Sequence, residues 1–476
     1  MNPIVLGIVI LYLGAMLYIG WYASKRIKTN EDFLVAGRRL GPLMLAGTLA
    51  ATEVGGGSTL GVVEKAYGAW GLSASWYVLT MAITFLVLAF IAPKLRGAMV
   101  KTIPEYFRRR YGEAPGFITA VVMILPLVGL TAGQIIASSV VLSVMTGLTY
   151  QAAVIIVSVV VTVYSVMGGL WGVTYTDVIQ WVLIVVGMAI TIPFALNAAG
   201  GWSTVASMLP PEKLSFTQGI GWKTIIALIV MYTASFAVGQ EAVQRFYAAK
   251  DEKTAMQASF LTAGVYVIFA FIPAVLGLIA FAMVQEGIID STQIMAHGAR
   301  YALPTLAIQT MPPLLVGLLF SALISATMSS ADSNMLGAAG IFGNDIYKRY
   351  INRSADEGQV LSVIKGSMIL VGVLSMLIAY FNKGSIINLL MFSFTLRAGG
   401  SSIPYVVGHY WKKASWAGAM ASLIVGSTMV LLVEKKYLSF FGLDPIIPGL
   451  ISSLVVFVLF TSLYPNREDT TQLTAE

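Results

Sequence analysis

Residues 50 to 59 read Ala50-Ala51-Thr52-Glu53-Val54-Gly55-Gly56-Gly57-Ser58-Thr59, inside an otherwise apolar run. Each glycine weakens a helix by about 1 kcal/mol relative to alanine, so three in succession predict an unwound point. Glu53 stands beside them. An unpaired acid at the centre of a bilayer costs about 2.5–3.5 kcal/mol, so it takes a partner or an ion. Two readings follow. The glycines either let helices pack closely, or they free backbone carbonyls at mid-membrane to hold a cation or solute.

The surrounding chain makes the bilayer the relevant solvent. It has 476 residues, 57% hydrophobic and 11% charged, against about a quarter charged in soluble domains. Apolar runs that reach the ~20 residues needed to span hydrocarbon recur throughout. They predict an all-α polytopic membrane protein with about 13 transmembrane helices. The spans lie near 3–22, 41–63, 72–93, 117–146, 150–168, 173–197, 222–247, 256–284, 312–346, 361–382, 385–411, 415–433 and 446–464. Residues 1–465 form one transmembrane domain, and the polar tail 466–476 is expected to be disordered and cytoplasmic. The first span is followed by basic residues rather than a cleavage site, so it is read as retained.

Charge sets the sidedness. Of 29 Lys and Arg residues, 21 fall in one set of connections and 7 in the other, with Arg397 inside a span. This bias predicts an N-terminus outside and a C-terminus in the cytoplasm. It also accounts for the net charge of +7 without a nucleic-acid partner. The absence of cysteine excludes disulfides, thiolate metal sites and a cysteine nucleophile. No phosphate-binding GxxxxGK[ST] loop and no HExxH or GxSxG setting occurs, which argues against ATP-driven transport and against an enzyme.

Other interruptions carry chemistry. The ninth span holds Ser325-Ala326-Thr327-Met328-Ser329-Ser330-Ala331-Asp332-Ser333-Asn334. Its hydroxyls either bond their own helix carbonyls or offer hard oxygen ligands suited to an alkali cation. Asp177 either caps a helix or lies on an ion path. The seventh span contains Ser235-Phe236-Ala237-Val238-Gly239-Gln240-Glu241, a second weak helix five spans after the first, as an inverted repeat predicts. Arg397 either pairs with a membrane acid or meets an anionic solute group. His297 and His409 fall in a loop and at a span end.

Several motifs are similar to those of the sodium:solute symporter family. They are Asp32-Phe33-Leu34-Val35-Ala36-Gly37-Arg38, Thr102-Ile103-Pro104-Glu105-Tyr106, Tyr175-Thr176-Asp177-Val178-Ile179-Gln180, Gln244-Arg245-Phe246-Tyr247-Ala248-Ala249-Lys250, and Ala326-Thr327-Met328-Ser329-Ser330-Ala331-Asp332-Ser333 with Asp345-Ile346-Tyr347 after it. The resemblance spans roughly residues 5 to 415. It implies a leucine-transporter-like 5+5 inverted repeat, transmembrane helices 2–6 and 7–11, with helices 2 and 7 broken. It also implies a monomeric carrier in the cell membrane that moves a small organic solute with Na+, by alternating access and without an organic cofactor.

Carried over residue by residue, the resemblance assigns the sodium site to the carbonyls of Ala51, Val54 and Ala326 and the hydroxyls of Ser329 and Ser330. It implies a second cation site at Asp177, Asp332 and Ser333, although the family's usual pattern has a hydroxyl where this chain has Asp332. Solute contacts are expected from Glu53, Gly55, Gly56, Gly57, Ser58 and Thr59, surrounded by Trp76, Gln134, Phe236, Gln240 and Arg397. The glycine run and the Tyr175–Gln180 motif resemble the choline-carrying branch, but Glu53 stands where that branch has tryptophan. A free Arg397 would favour a carboxylate, so an amino acid or small organic acid is the expected solute. A quaternary amine, a proton-coupled carrier and a solute sensor are the alternatives.

Overall fold

A computed structural model describes residues 2–25, 29–382 and 384–466. The expected disordered tail, apart from Asn466, lies outside the described residues, as do Arg26, Lys28, Lys383 and Arg467 of the charge pattern. Among the described residues every regular element is helical, and the single β-bridge joins Leu40 to Ala249.

The elements that place the site are α1 (Pro3–Ser24), α2 (Pro42–Glu53), α3 (Gly57–Gly97), α4 (Ile103–Tyr111), α5 (Glu113–Thr146), α6 (Tyr150–Met167) and α7 (Gly169–Ala198). There follow α8 (Gly221–Ala237), α9 (Gln240–Ala248), α10 (Glu252–Gln285), α11 (Pro313–Ile341), α12 (Glu357–Phe381), α13 (Ile386–Gly408), α14 (Trp416–Glu434) and α15 (Ile446–Leu463). Among the described residues, 11 helical segments can cross a membrane by length and apolarity, or 12 when α8 and α9 count as one bent span.

The difference from the expected thirteen arises at the second span. Its first half is α2, only 12 residues long. Its second half meets the third expected span inside the 41-residue stretch Gly57–Gly97, where the backbone leaves the helix at Gly68 (ψ −140) and Gly71 (φ 53, ψ −139), so the bend falls between the two expected spans. The seventh expected span is broken as anticipated, with α8 and α9 bent by 51°. The fifth and sixth join through Gly169 (φ 50, ψ −166), a conformation that a side chain would strain.

Burial separates centre from rim. The apolar window of the α11 span is 83% buried and that of α5 78%, whereas those of α1 and α12 are 28% buried. The outward faces carry Leu11, Phe90, Leu125, Ile268 and Phe381, side chains that lipid accepts and water does not. The chain is therefore a multi-pass membrane protein.

The quoted motifs have local work to do. Leu40 N–H donates to Ala248 O at 3.1 Å and Lys250 N–H to Leu40 O at 3.0 Å. Arg38, held at φ 55 after Gly37 (φ 60), donates to Tyr247 O at 3.0 Å. Arg96 donates to Ala249 O at 2.6 Å. These bonds fasten the entrance to α2 against the exit from α9, so the two broken spans share one end.

Candidate functional site

The α2–α3 break faces α11. Helix α2 stops at Glu53, and Val54 takes φ −86, ψ 71, which turns its carbonyl off the helix axis. Across from it, Ser329 Oγ donates to Ala51 O at 2.9 Å and lies 3.0 Å from Ala326 O. Ser330 Oγ donates to Thr52 O at 2.5 Å and lies 3.2 Å from Ala326 O. Four of the five residues expected around sodium thus converge: Ala51, Ala326, Ser329 and Ser330. Thr52, which the sequence reading did not assign, supplies a third carbonyl. The ends of the last helical turn of α2 leave carbonyls without i+4 partners, and the hydroxyls answer them. A hydroxyl can rotate its proton away and present a lone pair, so the same oxygens can surround a small hard cation. Among the described residues no three His, Asp or Glu side chains gather into a metal site. The donors here are of the alkali-ion type.

The second expected site is arranged differently. Arg245, quoted above in the motif that begins at Gln244 and given no site role there, has a side chain only 1% exposed. Its Nη2 lies 3.1 Å from Asp177 Oδ2 and 2.7 Å from Ser333 Oγ. Nε donates to Thr48 Oγ1 at 2.9 Å and Nη1 to Glu241 O at 2.7 Å. Thr48 Oγ1 also donates to Asp177. A guanidinium therefore stands between two of the three residues assigned to a second cation. Asp332 Oδ1 is 3.2 Å from Ser333 Oγ, and its Oδ2 has no hydrogen-bond partner.

Arg397 is neutralised. Its Nη1 donates to Glu241 Oε1 at 2.6 Å and its Nε to Ser235 Oγ at 2.6 Å, with both charged side chains buried. The pair spans the α8–α9 break, and a Cβ at Gly239 would sit 2.7 Å from Arg397 Nη2. Of the two readings left open for Arg397, pairing is the one observed. The argument from a free guanidinium to a carboxylate solute therefore falls.

Between these clusters lies a cavity of about 20 Å³ bordered by Glu53, Gly55, Gly57, Ser58 and Gln134, as expected, and also by Tyr77, Glu241, Asn334, Leu390 and Phe394. That is room for one water. Gln134 Oε1 accepts from Gly56 N at 2.7 Å and fixes the unwound turn. Gly56 itself lies against Ala137. Thr59 Oγ1 turns back to Gly55 O at 2.9 Å.

Three expected solute contacts are placed elsewhere. Trp76 donates to Phe216 O at 2.9 Å and packs on Phe216 and Trp222. Gln240 ties the α9 start to the α4 start, accepting from Ile103 N at 2.9 Å. Phe236 is buried behind Tyr232 and Phe394. Each has aromatic or amide chemistry suited to solute, but packing and backbone bonds use it first.

A profile of the sodium:solute symporter family matches residues 33–426. The chain belongs to that family. It is a sodium-coupled symporter of a small organic solute, not an enzyme. It is 25% identical to the osmoregulated proline transporter OpuE of Bacillus subtilis, over 95% of this chain and 93% of that one. It is 26% identical to the high-affinity proline transporter PutP of the same organism, over 96% and 98%. Among solved structures, a Na+-coupled sialic acid symporter in a substrate-bound outward-open state matches with TM-score 0.82 and 21% identity, covering 98% of this chain and 99% of that one. Mhp1, a nucleobase-cation-symport-1 family transporter, matches at 0.59 and 14%, covering 93% and 96%. These likenesses give the leucine-transporter-like fold.

Proposed function

We propose that this symporter imports an amino acid across the cell membrane with sodium held between the α2–α3 break and α11, and that proline is the first solute to try. The observation that carries the site is the pair of α11 hydroxyls, Ser329 and Ser330, seated on carbonyls of the broken helix. The proline relatives support the solute class. In this reading Ala51, Val54, Ala326, Ser329 and Ser330 ligate sodium. Asp177, Asp332 and Ser333 form a neighbouring cation-stabilising cluster in which Arg245 is the resident positive charge. Glu53, Gly55–Gly57, Ser58 and Gln134 border the solute.

Sodium bridging the α2 end to α11 orders the glycine turn before the solute enters. Rocking of the two broken spans against α5 and α11 then exposes both to the cytoplasm. The membrane potential adds about 2.3 kcal/mol per sodium per 100 mV. The reading also places the N-terminus outside and the C-terminus in the cytoplasm, and takes a monomer, free of organic cofactor and nucleic acid, as the working unit. Sodium-gradient uptake of L-proline into proteoliposomes tests it. Uptake equal in a potassium gradient would refute sodium coupling.

A further inference from the structure

The cavity between the breaks has an unbalanced charge. Glu53 and Glu241 are the charged residues on its border, and no lysine or arginine lines it. Glu241 is answered by Arg397 at 2.6 Å. Glu53 has no ion pair among the described residues, and its Oε1 is buried without a hydrogen-bond partner. Around the two breaks four buried carboxylates, Glu53, Asp177, Glu241 and Asp332, face two guanidiniums, Arg245 and Arg397. With every group ionised, sodium at the Ser329–Ser330 cluster supplies one further positive charge and leaves one carboxylate, Glu53 or Asp332, uncompensated; of these two, Glu53 is the one on the cavity border. A buried charge without a counter-charge is expensive.

The rest of the border suits a cation. Tyr77 and Phe394 both line the cavity, and the Tyr232 ring packs on their rings with centroids at 5.4 Å and 5.3 Å. Aromatic faces beside a carboxylate attract a positively charged nitrogen and offer nothing to an anion. We infer that Glu53 is the residue that recognises a positively charged nitrogen on the solute, and that Arg397 serves Glu241 and does not receive a solute carboxylate. The inference rests on the proposed sodium-coupled uptake and narrows its solutes to zwitterions and cations. Carboxylates without such a nitrogen would meet Glu53 as a like charge.

The test uses the purified full chain and four probes: L-proline, glycine betaine, choline and tetrahydrofuran-2-carboxylate, which is proline with oxygen in place of the ring nitrogen. Thermal stabilisation is titrated with each at saturating sodium, and with sodium alone. At least one of the three solutes with a positively charged nitrogen should stabilise the protein, and tetrahydrofuran-2-carboxylate should not. Glu53→Gln should raise the half-saturating concentration of the effective solute about 30-fold, the loss expected when one partner of a buried charge pair is removed. Half-saturation by sodium alone should move less than about threefold, and Glu53→Asp should recover part of the solute affinity. The inference is overturned if the oxygen analogue matches proline, if none of the three solutes with a positively charged nitrogen acts, or if Glu53→Gln shifts sodium as much as solute, which would make Glu53 a sodium ligand. Loss of any sodium effect in the unaltered chain is a separate result and would sink the sodium-coupled reading itself.

Discussion

At the scale of single residues, the buried charges were the most legible part of the site and their pairings the least. Glu53, Asp177, Asp332 and Arg397 stand out in the sequence because a bilayer penalises them. Their partners do not, because Arg397 meets Glu241 across 156 residues of chain and Arg245 meets Asp177 across 68. Arg245 was missed for a plain reason: it lies at the very end of the seventh expected span, where a basic residue is ordinarily a cytoplasmic flank. The Arg397–Glu241 pair makes a prediction. Removing one partner of a buried pair costs about 3–5 kcal/mol, whereas replacing both with apolar groups can be nearly neutral. Arg397→Met should therefore lower the thermal unfolding midpoint in detergent, and adding Glu241→Leu should recover part of the loss. An additive further drop in the double variant would show that the pair is not what stabilises the α8–α9 break.

At the scale of elements, the glycine run decides what α2 and α3 can do. A Cβ on Gly55 would lie 2.5 Å from Ser330 Oγ, and one on Gly56 would meet Ala137. Gly56→Ala should therefore reduce sodium-driven uptake at least tenfold while the protein still purifies as a folded species, since the clash falls on the turn that Gln134 holds. Gly264, on the lipid-facing side of α10, has no atom within 4 Å of an added Cβ. Gly264→Ala should keep uptake near the unaltered level and serves as the control. Equal activity in both variants would mean that the break tolerates a side chain. The sequence disclosed this break because glycine and a charge interrupt an apolar run. It did not disclose how the second half of the broken span passes into the next one, through non-helical backbone at Gly68 and Gly71. Hydropathy registers the apolar content of a stretch but not the bend at Gly71, where φ is 53; among the described residues length alone counts 11 or 12 spans because that bend lies inside one of them.

For the whole molecule, the apolar bulk seen in the composition becomes a lipid-facing rim around the buried α5 and α11. Sidedness can be measured directly because the natural chain contains no cysteine. A single cysteine at Asn2→Cys should react with a membrane-impermeant maleimide added to intact cells. One at Asn466→Cys should react only after the membrane is opened. The reverse pattern would invert the orientation drawn from the positive-inside bias.

The central claim is that sodium, held by α11 hydroxyls against the end of α2, drives the solute inward. The most direct measurement is L-proline uptake into proteoliposomes under a sodium gradient, compared between the unaltered chain and Ser329→Ala with Ser330→Ala. The account predicts uptake that requires sodium in the first and collapses to the no-gradient level in the second, with the double variant still folded. Uptake that keeps its sodium dependence after both hydroxyls are removed would contradict it.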